Sequence, residues 1–222
     1  MSFHVVSPSF ANKEQTVLSS WLDYEQTGLY SQGMATKIQQ GSVRERLLAA
    51  ANELFYEEGV QAVGIERVLE RAGVAKASLY STFGSKDELV RAYLEARHER
   101  RRERITQAFA RHHTPRARML AIFDLLAESS AAPGFRGCAF INATAEALGS
   151  NVCNVAGESR AWLRSVFLEQ ARAAGAAEPE QLARDLVLLY DGAMVGAQMD
   201  ADRDAAANAR RVAATLIDSA TA

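Results

Sequence analysis

The feature that most constrains the fold of this chain is residues 64–88, GIERVLERAGVAKASLYSTFGSKDE. This stretch predicts two short helices joined by a tight turn centred on Gly73, since glycine accepts the positive φ that such a bend requires. The second helix carries mostly polar side chains where a buried helix would carry leucines, namely Lys76, Ser78, Tyr80 and Thr82. A short, polar-faced helix held by a turn can present side chains to a DNA major groove.

Capped helices flank this helix–turn–helix. Ser42 followed by Glu45 predicts a capping box, and the apolar residues that follow repeat at helical spacing as far as Gly59. Ser85 followed by Glu88 has the same spacing and opens a long helix that continues to about His112. The sequence therefore predicts a three-helix head followed by a long connecting helix.

The rest of the chain is also predicted to be helical, with breaks at Pro133-Gly134, at 149–151 and at 175–179. The predicted segments lie near 115–130, 139–149, 158–174, 179–200 and 204–219. We expect an all-α fold of about nine helices, with a DNA-binding head at 42–88 and a larger helical body at 89–222. Residues 1–41 differ in composition and are interpreted as an N-terminal extension. Either Met34 is an alternative start, or an extra helix packs on the body.

Residues 42–89 resemble the tetracycline-repressor (TetR) family of bacterial regulators. The matching residues are Leu54-Phe55, Glu58-Gly59, Ala72-Gly73-Val74, Leu79-Tyr80, Phe83 and Ser85-Lys86-Asp87-Glu88-Leu89. The resemblance implies a homodimer that binds a palindromic double-stranded DNA operator and whose DNA binding is controlled by a small-molecule effector. This chain departs from the family at Gly64 and Ala75, where the family often has hydroxyl residues.

The resemblance also implies which residues meet DNA. Lys76, Ser78 and Tyr80 should face base edges or nearby phosphates, whereas Leu79 and Phe83 should be core. Phosphate contacts would come from Tyr80 and from positions at the starts of two flanking helices. The complete predicted DNA-binding set is Arg44, Lys76, Ser78, Tyr80, Thr82 and Lys86.

The body offers a candidate pocket in residues 134–149, where Asn142 and Glu146 lie one helical turn apart. In one interpretation they are polar groups of an apolar ligand pocket. In the other, the aromatic residues are core, and the two polar residues satisfy helix ends or pair with Arg160. The predicted ligand-binding set is Phe123, Cys138, Phe140, Asn142, Glu146, Trp162, Tyr190 and Met194.

Small and apolar residues on the last two helices predict a dimer seam, although such faces also pack within one subunit. The predicted interface is Leu182, Leu186, Leu189, Gly192, Ala193, Gly196, Ala197, Val212 and Leu216. A separate basic run, at 97–104, alternates with glutamates and is predicted to form a solvated helix face of i,i+4 ion pairs.

Composition narrows the class of protein. The chain has 25 Lys and Arg against 27 Asp and Glu, so DNA affinity must come from local placement of charge. Two cysteines, Cys138 and Cys153, favour a reducing compartment, and no apolar run is long enough for a bilayer, so we expect a cytoplasmic protein without a membrane partner. No catalytic, metal or dinucleotide motif is present, so no enzyme activity, metal or cofactor is expected.

The leading hypothesis is a ligand-responsive repressor. Two alternatives stay open at this point. One is a helical ligand-binding or scaffold protein whose head has lost DNA affinity. The other is a thiol sensor that uses Cys138 or Cys153, which would need an electropositive, partly exposed setting.

Overall fold

The structure is a computed structural model that describes residues 41–146 and 150–222, with the side chains of 150 and 151 left out. The predicted extension, apart from Gly41, and the alternative start at Met34 lie outside the described residues.

The described residues form nine helices and contain no strand, which confirms the all-α prediction. In chain order they are α1 Val43–Glu58, α2 Ile65–Ala72, α3 Lys76–Phe83, α4 Lys86–Arg111, α5 Pro115–Ala131, α6 Ala139–Glu146, α7 Ser150–Ala173, α8 Pro179–Met199 and α9 Ala205–Ala220. We call α1–α3 with the start of α4 the head, and the remainder the body.

Helix α7 differs from its prediction. It begins at Ser150 and runs through Gly157, whereas the sequence predicted a break around 150 and a helix start near 158. Val152 and Val155 are both buried against the core of the head. Tertiary burial of these extra turns outweighs the modest helix penalty of one glycine, so the local break signal gave the wrong boundary.

The predicted caps are present. The Ser42 amide donates to a Glu45 carboxylate oxygen at 2.7 Å, and the Glu45 amide donates to Ser42 Oγ at 3.3 Å, which completes the capping box. Ser85 Oγ accepts from the Glu88 amide at 3.1 Å at the start of α4. Gly73 adopts the left-handed conformation with φ of 62°, as the tight turn requires.

Two apolar clusters organise the molecule. The first joins the head helices to α6 and the start of α7, with Phe140, Ala143 and Val155 packed beside Leu47 and Leu79 of the head. The second lies within α4, α5 and α7–α9. The head therefore shares an apolar cluster with α6 and the start of α7.

In the described part of the chain, no helix combines the length and apolar character that a membrane span requires.

Candidate DNA-binding face and head–body cavity

Helix α3 presents one packed side and one open side. Leu79 is fully buried and Phe83 packs half-buried on the same cluster, as predicted. On the opposite side Tyr80 is 47% exposed and Lys76 is exposed. The structure thus leaves Tyr80 and Lys76 exposed on the side that the sequence assigned to DNA, whereas Ser78 and Thr82 are half-buried.

Local contacts already occupy part of this face. Lys76 Nζ forms an ion pair with Glu66 Oε1 of α2 at 2.9 Å, and both side chains are largely exposed. The bond lowers the pKa of Glu66 and raises that of Lys76. Thr82 Oγ1 donates to the Ser78 carbonyl at 2.6 Å, so its hydroxyl proton is used within the helix. An exposed ion pair is weak, so Lys76 can exchange Glu66 for a phosphate at little cost.

The remaining predicted DNA contacts lie at helix starts. Arg44 is exposed near the start of α1, with its guanidinium 5.6 Å from the centre of the Phe83 ring. Lys86 is half-buried as the first residue of α4. Gly64 and Ala75 provide no capping hydrogen bond for α2 and α3, in keeping with the hydroxyl groups they lack.

A cavity of about 190 Å³ lies where the head meets the body. Four residues of α1 form the head side: Asn52, Glu53, Tyr56 and Glu57. Four arginines of α4 line the centre: Arg97, Arg100, Arg101 and Arg104. Residues of α5, of the loop 132–138, of α6 and of α8 complete the lining. Any molecule in this cavity would contact head and body together.

The cavity includes four of the predicted ligand-binding residues and leaves out the other four. Cys138, Phe140, Tyr190 and Met194 line it, whereas Phe123, Asn142, Glu146 and Trp162 do not. Phe123 is fully buried and packs against Phe167 and Tyr190, with ring centres 6.0 and 6.3 Å apart. Trp162 packs edge-on against His98 at 5.3 Å.

Asn142 and Glu146, the two predicted polar residues of the pocket, both form hydrogen bonds with backbone groups. Asn142 Nδ2 donates to the Arg136 carbonyl at 2.7 Å. Glu146 accepts from the Gln61 amide at 3.1 Å and so links the end of α6 to the head. Arg160 pairs with Asp191 of α8 and not with Glu146. Both side chains thus bond to backbone groups of loops next to helix ends, which is nearer to the second interpretation than to a pocket, and neither pairs with Arg160.

The prediction of a solvated basic face on α4 is wrong for four of its five arginines. Arg102 is exposed and pairs with Glu99 at 3.6 Å, three residues away on the same helix. The other four are half-buried and line the cavity. Arg97, Arg101 and Arg104 recur at i, i+4 and i+7, which places them on one helix face. That spacing was the sequence signal for an inward basic stripe, but the interleaved glutamates obscured it.

Asn52 of α1 accepts hydrogen bonds that connect the head to the body. It is buried, and its Oδ1 accepts from Arg97 Nε at 3.1 Å and from Arg100 Nη2 at 2.8 Å. The guanidinium of Arg97 also lies over the Tyr56 ring, 3.9 Å from its centre. The Tyr56 hydroxyl donates to the Gly137 carbonyl at 3.1 Å and accepts from the amide of residue 136 at 3.0 Å.

Among the described residues, the acidic groups of the lining form no ion pair with Arg97 or Arg101, and Arg104 pairs with Glu128 of α5 at 3.3 Å. Glu53 is paired with Arg71 of α2 at 2.8 Å. Burial, followed by repulsion from Glu53 and Glu58, raises the pKa of Glu57. Burial also raises the pKa of the Tyr190 hydroxyl above its ordinary value.

The predicted dimer residues differ in burial and form three groups. Leu182, Leu186 and Ala193 are buried within the subunit. Leu189, Gly196, Ala197 and Leu216 are half-buried, while Gly192 and Val212 are exposed. The large apolar side chains that α8 exposes are Leu188, Val195 and Met199, of which the first and last are 70% and 78% exposed. With Gly192 they recur at i, i+4, i+7 and i+11 and form one stripe, which the sequence prediction missed.

Both cysteines are free thiols. Cys138 is half-buried in the cavity lining, and Cys153 is exposed on α7.

Comparison with known proteins points to one family. Residues 47–93 match the family model described as bacterial regulatory proteins, tetR family. The transcriptional activator FasR of Mycolicibacterium smegmatis is 46% identical over 52 residues, which are 23% of this chain and 24% of FasR. The chain therefore spans only about a quarter of the length of this curated relative.

Two solved structures are similar over almost their whole length. A TetR-family transcriptional regulator from Streptomyces coelicolor is 30% identical, with a TM-score of 0.77 over 83% of this chain and 99% of that one. A tetR-type regulator from Streptomyces avermitilis is 36% identical, with a TM-score of 0.71 over 81% and 98% of the two chains. The helix–turn–helix head, the helical body and these relatives together show that the chain belongs to the TetR family of transcriptional regulators.

Proposed function

We propose that this chain is a ligand-responsive transcriptional repressor that binds a palindromic operator as a homodimer and is released by a small-molecule effector. The observation that carries the proposal is the cavity between α1 and α4, because its occupant would touch the DNA-binding head and the body at once. A ligand can shift the head only if it binds more tightly to one conformation of the protein than to another. This cavity provides contacts to both head and body that could create such a difference.

The exposed side of α3 supports DNA as the partner. Tyr80 and Lys76 project from a helix whose other side is fixed in the core by Leu79. One head of this size reads only a few base pairs, so two heads at a fixed spacing would supply the affinity and the two-fold specificity.

The apolar stripe of α8 supports the homodimer. Leu188, Val195 and Met199 lie on one face, and Val212 of α9 is also exposed. Packing this surface against its symmetry mate would remove large apolar side chains from water in an isologous interface.

The coupling we propose runs through α4. One end of α4 meets the DNA-proximal part of the head, and its arginines line the cavity and hold Asn52 of α1. A ligand that changes the distance between α1 and α4 would alter the separation of the two heads and lower operator affinity. Reporter expression with and without the regulator gives the sign of control, and expression that falls when the gene is deleted would indicate an activator.

Footprinting on the DNA upstream of the protein's own gene tests the proposal. We expect a protected palindrome at low salt, with weaker protection for Tyr80→Phe and Lys86→Ala. Arg172→Ala removes one positive charge from the body, where it pairs with Glu180, and serves as the matched control. Absence of protection by the wild-type protein would overturn the repressor proposal and favour a helical ligand-binding protein with lost DNA affinity.

A further inference from the structure

We infer that the head–body cavity binds a small organic anion, a carboxylate carried on a single ring or a short apolar chain, and that Arg97 and Arg101 hold its charge. The inference names the class of ligand for the effector site of the proposed function. Only its consequence for release from the operator rests on that function. The class of ligand follows from the charge, the size and the hydrogen bonds of the cavity.

The charge balance of the lining favours an anion. Arg97 and Arg101 both contribute to the wall, and their side-chain partners there are neutral, namely Asn52 Oδ1 and Ser159 Oγ, the latter at 3.3 Å. Among the described residues no carboxylate lies within ion-pair distance of either guanidinium. Half-buried positive charge without a counter-ion is costly, and a bound carboxylate would remove this cost while accepting two parallel N–H bonds.

The acidic residues of the cavity do not supply that counter-ion. Glu53 is already bound to Arg71, and the raised pKa of Glu57 shows that its own charge is disfavoured where it lies. Arg104 pairs with Glu128 of α5 at 3.3 Å, so the positive charge that a ligand from solution could balance is that of Arg97 and Arg101.

The volume of the cavity and its apolar walls determine the size and polarity of the part of the ligand that carries the carboxylate. A cavity of about 150 Å³ accommodates benzene, and a water molecule takes about 30 Å³, so 190 Å³ fits one ring with a carboxylate. The apolar walls come from Ile105, Ile122, Leu125, Phe135 and Phe140. The Arg101 guanidinium lies 4.9 Å from the centre of the Phe140 ring, so a ring stacked on Phe140 would place its carboxylate beside Arg101.

Asn52 explains why an anion would affect the head. Its amide oxygen holds Arg97 and Arg100 to α1 as a neutral acceptor. A carboxylate accepts from guanidinium more strongly than an amide does, so a bound anion would draw Arg97 away from Asn52. The contact between α1 and α4 would loosen as the ligand binds.

Isothermal titration calorimetry of the full-length protein tests the inference with two matched probe pairs, benzoate with benzamide and octanoate with octanamide. Each acid differs from its amide mainly in charge. We expect at least one acid to bind with a Kd near 1 mM or below, at least about tenfold tighter than its amide, because hydrogen bonds between charged groups are roughly twice as strong.

Three variants locate the charge contact. Arg101→Gln should remove the preference for acid over amide. Asn52→Asp puts a permanent carboxylate beside Arg97 and Arg100, so it should also reduce acid binding while leaving the pair of arginines satisfied and the fold intact. Arg102→Gln is the matched control from the same helix, because Arg102 does not line the cavity, and it should keep the full preference.

The outcomes separate this inference from the proposed function. No acid binding up to about 10 mM, equal binding of acid and amide, or equal loss in Arg101→Gln and Arg102→Gln would overturn the anion site. Footprinting in the absence of the acids and amides measures DNA binding independently of the anion site. Acid binding that leaves operator protection unchanged would support the anion site and overturn its role in release.

Discussion

Replacing Tyr56 by Phe removes the hydroxyl that joins the head to the loop of the cavity. This hydroxyl makes two hydrogen bonds, to the Gly137 carbonyl at 3.1 Å and from the amide of residue 136 at 3.0 Å. A neutral hydrogen bond contributes about 0.5–1.5 kcal/mol, and a buried group left without a partner costs about 1–3 kcal/mol. Gly137 is buried, whereas residue 136 is exposed and water can replace its lost bond. We therefore expect a loss of about 2 kcal/mol in the free energy of unfolding.

Urea unfolding at a fixed protein concentration measures this loss as a lower midpoint with an unchanged m-value. Tyr80→Phe is the matched control, because it deletes the same atom from an exposed ring of α3. Tyr80→Phe should leave stability unchanged and weaken operator binding, and Tyr56→Phe should lower stability. If Tyr56→Phe unfolds within about 0.5 kcal/mol of the wild type, its two hydrogen bonds do not hold the head to the body.

Three further changes test the electrostatics and the interface. Glu66→Gln removes an acidic group beside the DNA face and releases Lys76, so operator affinity in a gel-shift titration should rise about two- to fivefold at low salt and converge with the wild type at high salt. Leu188→Glu places a charge in the apolar stripe and should weaken the dimer at least about tenfold in analytical ultracentrifugation. The exposed Ile141 of α6 provides the control, and Ile141→Glu should leave the dimer intact. Glu57 has a raised pKa in the fold, so its ionisation opposes folding and stability is lost as pH rises through that value. Glu57→Gln should therefore raise the melting temperature near neutral pH, with a gain that disappears near about pH 4; an equal gain at both pH values would contradict the reasoning.

The head could be predicted from sequence because its signals are local. A Ser and a Glu three residues apart cap α1, and Gly73 alone permits the left-handed turn between α2 and α3. Leu79 and Phe83 then follow from helical spacing. Each of these features depends on residues within one or two turns of helix, so no knowledge of the body was needed.

The body was harder to predict because burial there depends on distant partners. Helix α7 continues back to Ser150 because the head buries Val152 and Val155, and nothing near Gly157 in sequence signals that support. The sequence also left the roles of Asn142 and Glu146 open. Their spacing is equally compatible with a pocket and with backbone contacts, and the tertiary structure places them on backbone groups.

Local sequence signals were enough to predict an all-helical fold, the position of the head and the polar side of α3. These properties follow from helix periodicity, from caps and from one glycine. Which charges face inward depends on how the helices pack. Arg97, Arg101 and Arg104 look in sequence like members of a solvated, glutamate-paired face, and packing of α4 against α1 and α5 turns them toward a shared cavity. Periodicity predicts that residues share a helix face, but only the neighbouring helices decide whether that face meets water or another part of the protein.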